Sequence, residues 1–186
     1  PVFLRVPAPG AGGGHRGADH GAGGGHLRQP EGPVPWGGRV MAREMKDSGI
    51  PWIGEIPAGW SIVKIKAGVY KVGSGKTPSG GATSYADEGV LFLRSQNVYD
   101  TGLELSNPTY ITPEVDEEMK GTRVFPNDVL LNITGGSIGR CCIFPESLET
   151  ANVNQHVSII RVDKRVFLPE FMHYYWISPL GSMAMV

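Results

Sequence analysis

The run Asp128-Val129-Leu130-Leu131-Asn132-Ile133-Thr134-Gly135-Gly136-Ser137-Ile138-Gly139-Arg140 carries an apolar strand pattern into glycines that bracket small polar donors and end on a guanidinium. Without bulky side chains a partner can lie close to such a backbone. Its N–H groups, Thr134, Ser137 and Arg140 are donors suited to phosphate or to base edges. The same glycines also suit a plain β-hairpin connection, and the two readings are compatible. Upstream, Gly73-Ser74-Gly75-Lys76-Thr77-Pro78 sets Lys76 and Thr77 in a turn, with the lysine either on nucleic-acid backbone or simply solvated. Arg94, Ser95, Gln96 and Asn97 emerge from the apolar Val90 to Leu93, as DNA contacts or as ordinary strand-end polar residues. Downstream, Asn152, Asn154, Gln155 and His156 gather amides and an imidazole before another strand. Amides can pair with adenine N6 and N7, or can brace the neighbouring glycine loop.

Other chemistry is disfavoured. Gly75-Lys76-Thr77 resembles the close of a phosphate-binding P-loop, but the required earlier glycine falls on Tyr70, and Pro78, Ser79, Gly80 and Gly81 stand where the helix should begin. His156 and His173 lack metal-ligand spacing. His15, His20 and His26 lie in glycine-rich sequence without Cys or acidic ligands, a poor metal tract. The adjacent Cys141 and Cys142 lie amid apolar neighbours, where thiols are inert. No methyltransferase Asp-Pro-Pro-Tyr motif is present and no Gly-x-Gly cofactor turn is read after a predicted strand, so no catalytic residue and no metal site is assigned.

The elements that must hold these residues are short. Val90 to Leu93, Thr109 to Thr112, Val129 to Ile133, Cys141 to Phe144 and Val157 to Val162 are apolar or β-branched runs bounded by turn residues, which predicts strands. Ile62, Val63, Ile65 and Val69 predict a strand or a short helix ahead of the first glycine turn. Thr112-Pro113, then Glu114 to Lys120 and Gly121, has the cap, proline and early acids of a short surface helix. Leu168-Pro169 through Ile177 predicts a second helix, interrupted by Ser178-Pro179. Met45 to Trp60, broken by proline and glycine, reads as an extended arm. The fold class is mixed α/β and strand-rich, with short helices.

Composition separates a leader from this domain. Residues 1 to 40 hold 12 of the 27 glycines and 6 of the 15 prolines and contain no Ile, Lys, Asn, Tyr, Ser, Thr, Cys or Met, so they cannot form a packed core. Residues 1–44 are therefore expected to be a disordered low-complexity leader, read as translated upstream sequence with Met41 or Met45 as the start. No apolar run is long enough to span a membrane. From Met41 onward 13 Lys plus Arg stand against 16 Asp plus Glu, about −3, which is awkward for a DNA binder. Binding then requires a local basic face, drawn from Lys64, Lys66, Lys71, Lys76, Arg94 and Arg140, with Asp116, Glu117 and Glu118 turned away. Adjacent cysteines on one strand point to opposite faces, and the chain reads as reduced and cytoplasmic.

The Gly73–Pro78 element, Leu91 to Val98, Asp128 to Arg140 and Ala151 to Val157, in that order and spacing, resemble the target-recognition domain of type I restriction-modification specificity subunits, over about Met45 to Trp176. Asp47 to Ile50, Trp52 to Pro57 and Trp60 are similar to the opening of such subunits, and Pro126-Asn127-Asp128 stands where they usually have Pro-Gly-Asp. The resemblance implies a single target-recognition domain over 45–177, with 178–186 as the start of a helical spacer, and thus a fragment or half-length subunit. It implies a non-catalytic reader of one half of a split double-stranded DNA site. It also implies adenine methyltransferase subunits and restriction subunits as partners, carrying S-adenosylmethionine, ATP and magnesium. Candidate DNA contacts are Lys76, Thr77, Arg94, Ser95, Asn97, Thr134, Gly135, Gly136, Ser137, Arg140, Asn154 and Gln155. Because the family shares the Asn154-Gln155 element across different targets, bracing is the favoured role for that pair. Bases would be read by the loops 77–88 and 99–107. Two rivals are the recognition portion of a fused restriction-methylation enzyme, and a protein-interaction module or nonfunctional remnant.

Overall fold

The computed structural model describes residues 2–5, 43–51 and 53–184, with side-chain surroundings for 43–51 and 53–181. Most of the low-complexity leader, with its three histidines, lies outside the described residues, as does Trp52. Val2–Arg5 is a strand beside Ser61–Lys64. The chain divides into two compact units, one of residues 7–61 and one of residues 1–6 with 62–186. In the first, Met45–Asp47 pairs antiparallel with Glu55–Pro57, so the segment read as an extended arm is a hairpin.

The second unit is built on two sheets. Its strands are β1 (Val69–Ser74), β2 (Tyr85–Ala86), β3 (Val90–Leu93), β4 (Tyr110–Ile111), β5 (Arg123–Val124), β6 (Val129–Asn132), β7 (Cys141–Ile143), β8 (Ala151–Val153) and β9 (Val157–Val162). One sheet is antiparallel, in the order β7-β6-β9-β1. The other runs β5-β8-β3-β4-β2, with β8 and β3 as its parallel pair. Leu93, Val124 and Val153 from the second sheet meet Leu130, Cys142, Val157 and Ile159 from the first in one buried cluster. The opposite face of the four-stranded sheet presents Val129, Leu131, Cys141 and Ile160 to Phe167 and to Met172 of α2 (Pro169–Ile177). Phe92 and Ile111 likewise meet Met119, just beyond α1 (Pro113–Glu118). Burial on both faces explains why β6 reads as an unbroken apolar run rather than an alternation.

The terminators follow from chemistry. Thr112 Oγ1 accepts from Val115 N at 3.4 Å and Pro113 opens α1, whose end tightens into a 3-10 turn at Lys120–Thr122, earlier than the expected Lys120. The expected strand-or-helix near residue 62 is both, a strand followed by a 3-10 turn at Ile65–Gly68. Asn127 has φ +73°, the only described non-glycine residue in that region. Asparagine tolerates it where other side chains cost about 1–2 kcal/mol. That turn delivers Asp128, buried to 1% exposure, to a two-pronged pair with Arg161 at 2.7 Å for each bond. α2 ends at Ser178-Pro179, after which α3 (Pro179–Ala184) begins.

Cys141 and Cys142 face opposite sides of β7, both buried and both free thiols. Burial raises both, with Cys142 pushed up to about 12. At mildly alkaline pH neither should be alkylated in the folded protein, and both should react once denaturant is added; thiol labelling followed by mass spectrometry reads this directly. Gly75 packs against β8 so closely that an added Cβ would lie 2.0 Å from the Val153 carbonyl oxygen, whereas one at Gly73 meets open space. In urea titrations Gly75→Ala should therefore lose about 2 kcal/mol or more, while Gly73→Ala should stay within about 1 kcal/mol of wild type.

Candidate nucleic-acid interface

The four sequence elements that drew attention meet where the two sheets' strands end. Beyond β1, Gly75 N donates to Val157 O at 2.9 Å and Lys76 N to Val153 O at 3.0 Å. Asn154 N donates to Leu93 O at 3.0 Å, which ties the end of β8 to the end of β3. Ile133 N donates to His156 O at 3.0 Å, adding the end of β6. Main-chain bonds thus bring Gly75–Thr77, Leu93–Asn97, Asn132–Arg140 and Asn154–His156 to one place.

Side chains continue the connection. Thr77 Oγ1 donates to Gln155 Oε1. Gln155 Nε2 lies 3.1 Å from His156 Nε2, and His156 Nδ1 lies 2.6 Å from Thr134 Oγ1. His156 N is held in turn by Asn154 Oδ1 at 3.2 Å. The bracing expected of Asn154 and Gln155 is therefore present, but it reaches the glycine loop through the imidazole and the Thr134 hydroxyl rather than through the loop's backbone. Both ends of the Gln155 amide are engaged within the protein, Oε1 by Thr77 and Nε2 by His156. Asn152 belongs elsewhere: it is fully buried, accepts from Thr122 Oγ1 at 2.6 Å and donates to Asp116 Oδ1 at 2.5 Å.

The loop between β6 and β7 is a hairpin connection containing one 3-10 turn, Gly135–Ser137. Gly135 and Gly139 have φ of +75° and +89°, a left-handed conformation that favours glycine. Gly136 has no such angle, and a Cβ there would meet open space, so nothing within the fold demands glycine at that position. Beneath the loop, the side-chain amide of buried Asn132 donates to Ser95 O at 2.8 Å and Ser137 Oγ at 3.1 Å, and its main-chain carbonyl accepts from Gly139 N at 2.9 Å. Arg140 stacks over the Tyr99 ring, 4.5 Å from its centroid. A guanidinium so held is already oriented for an anion or a base edge.

The structure redirects two of the expected contacts. Asn97 is 5% exposed; its Oδ1 accepts from Arg94 N at 2.9 Å and its Nδ2 donates to Glu104 O at 2.8 Å, which makes it a brace of its own loop. Arg94 donates to Thr109 Oγ1 at 2.9 Å and lies 5.7 Å from the Tyr85 ring, half-buried. Ser95 contributes its carbonyl to Asn132. Lys76, Thr77, Thr134, Gly135 and Gly136 are exposed, and Ser137 and Arg140 partly so. His156, Tyr99 and Asn132 were absent from the expected contacts. Asn132 was signalled by a polar residue inside an apolar strand run, and Tyr99 by its place at the head of the loop 99–107.

Ion pairing decides which charges stay available. Asp116 and Glu117 both hold Arg123, Glu117 also holds Lys120, Asp128 holds Arg161 and Asp163 holds Arg165. Asp116, expected as a surface acid, is in fact buried. Lys76, Arg94 and Arg140 form no ion pair among the described residues.

No family model matches the chain. Over 93 residues it is 29% identical to the type I restriction enzyme EcoBI specificity subunit of Escherichia coli, spanning 50% of this chain and 19% of that protein. Among solved structures, the HsdS subunit from Thermoanaerobacter tengcongensis superposes with a TM-score of 0.54 at 13% identity, covering 76% of this chain and 32% of that one. A chain from a structural study of complex assembly and conformational transition in the type I R-M system gives 0.51 at 16% identity, covering 69% and 30%. The chain thus spans a fifth to a third of the length of these proteins. The structures show the likeness of fold, and over half of its length the chain is similar in sequence to a type I restriction enzyme specificity subunit.

Proposed function

We propose that this domain is a non-catalytic reader that selects DNA sequence for a type I restriction-modification complex. The observation that carries the reading is the convergence of four separate sequence elements on one strand-end surface, with Lys76 and Arg140 outside any ion pair among the described residues and beside a loop of exposed glycines. Phosphate contacts from this framework would set register, and the loops 77–88 and 99–107 would touch base edges. Methylation and cleavage would belong to partner subunits that carry S-adenosylmethionine, ATP and magnesium, the methylating subunit flipping its adenine out of the duplex nearby.

Selection from a random duplex library tests this, using the chain extended through its native downstream coding sequence and co-expressed with a neighbouring methyltransferase. A short enriched motif is expected, with affinity falling as salt rises; a folded, assembled complex that enriches nothing would refute sequence reading. Because a Cβ at Gly136 would meet open space within the protein, Gly136→Ala should leave thermal stability unchanged, while its methyl group, standing between the loop backbone and the duplex, should weaken binding about tenfold, the size of one displaced polar contact. Unchanged binding would mean that DNA does not approach the loop at this point.

A further inference from the structure

The hydrogen-bond chain from Thr77 to Thr134 has a direction, and that direction decides which end can offer a proton to a ligand. Gln155 Oε1 can only accept, so Thr77 spends its single hydroxyl proton there. The other end of the amide is an NH₂ group facing His156 Nε2 at 3.1 Å, which requires that nitrogen to carry a lone pair. A neutral ring then bears its proton on Nδ1, 2.6 Å from Thr134 Oγ1, and Thr134 accepts it. The hydroxyl proton of exposed Thr134 is left free to point outward.

We propose that His156 is a positioning residue that sets the Thr134 hydroxyl as a hydrogen-bond donor to a DNA phosphate oxygen, an inference that rests on the DNA-reading function above. Two observations favour phosphate over a base edge. A lone hydroxyl donor lacks the paired contacts that tell bases apart, whereas phosphate oxygens commonly accept from threonine. Thr134 is also fixed by sheet register, through the neighbouring Ile133 N to His156 O bond, rather than carried on a long loop. His156 itself needs no contact with DNA. Its main chain is pinned from both sides, by Ile133 and by Asn154, so the imidazole transmits the polarity set at Gln155. Reversal of that amide would invert the chain: Nε2 would carry the proton, Thr134 would donate inward, and Thr77 would become the outward donor.

Two measurements separate this inference from the reading beneath it. Nitrogen chemical shifts of the His156 imidazole in the full chain, without DNA, should show the Nδ1-protonated neutral tautomer; the Nε2-protonated tautomer would overturn the proposal whatever the protein binds. In the co-expressed complex, Thr134→Val should weaken binding about tenfold, as expected for a lost bond to a charged acceptor, and equally for the selected duplex and an unrelated one. His156→Ala should match it, and the double variant should lose nothing further. His156→Asn, whose amide nitrogen replaces Nδ1, should recover most of the affinity, and His156→Gln, which replaces Nε2, should not. Additive losses, equal behaviour of the Asn and Gln variants, or a loss confined to the selected duplex would each defeat the assignment. If wild type binds no duplex at all, the DNA-reading function fails and the phosphate contact falls with it, while the tautomer result stands on its own.

Discussion

The approach of the Gly75 backbone to Val153 and Asn154 is the contact on which the candidate surface depends. The four-stranded and five-stranded sheets share one apolar cluster, but burial is non-directional and would tolerate sliding of one sheet on the other. The bond from Lys76 N to Val153 O removes that freedom, because it locks a residue just past β1 of one sheet to the end of β8 in the other, while the bond from Gly75 N to Val157 O fixes the same turn to β9 within its own sheet. They form only if no side chain stands at position 75. Once they do, Thr77 comes within reach of Gln155, and the relay through His156 to Thr134 follows from the same register.

Charge is partitioned with the same economy. A net negative domain is a poor DNA binder if its acids are free, yet the carboxylates that ring the core are committed to particular cations. Asp128, nearly inaccessible, receives Arg161 on both oxygens and also the Phe125 N–H at 2.8 Å. Asp116 is shared by Arg123 and the Asn152 amide. Buried pairs of this kind add little net stability over apolar packing, since desolvation offsets most of the attraction. Their effect here is to neutralise those carboxylates without drawing on Lys76 or Arg140 beside the glycine loop.

Much of this was legible in the sequence. β3 and β9 lie where apolar runs between turn residues place them; β6 and β7 stop one residue short of their runs, and β4 is one residue shorter at each end. Asn127 in the left-handed region follows from its place before Asp128 in a turn that usually takes glycine. What could not be read was non-local. β8 is three residues long with a buried asparagine at its centre, and only its partners β3 and β5 and the Asp116 network make it a strand. Asn97 and Arg94 had the composition of a binding cluster. Their commitment to Glu104 and Thr109 depends on how the following chain returns, which no local pattern encodes.

The division between framework and loops gives the site its logic. Thr134, Lys76 and the glycines are tied to strand ends by main-chain bonds, so their positions are set by the fold and would be the same whatever sequence is read. The segment from 99 to 107 has its strand pairing locally, Val98–Tyr99 with Gly102–Leu103, is held to β7 where Asp100 Oδ1 accepts from Cys141 N at 2.9 Å, and is exposed at Tyr99, Asp100 and Thr101. Arg140 joins the two: its main chain belongs to the glycine loop while its guanidinium rests on Tyr99. A change in the outer loop would therefore re-aim a cation anchored in the framework, altering recognition without disturbing the contacts that hold the sheets in register.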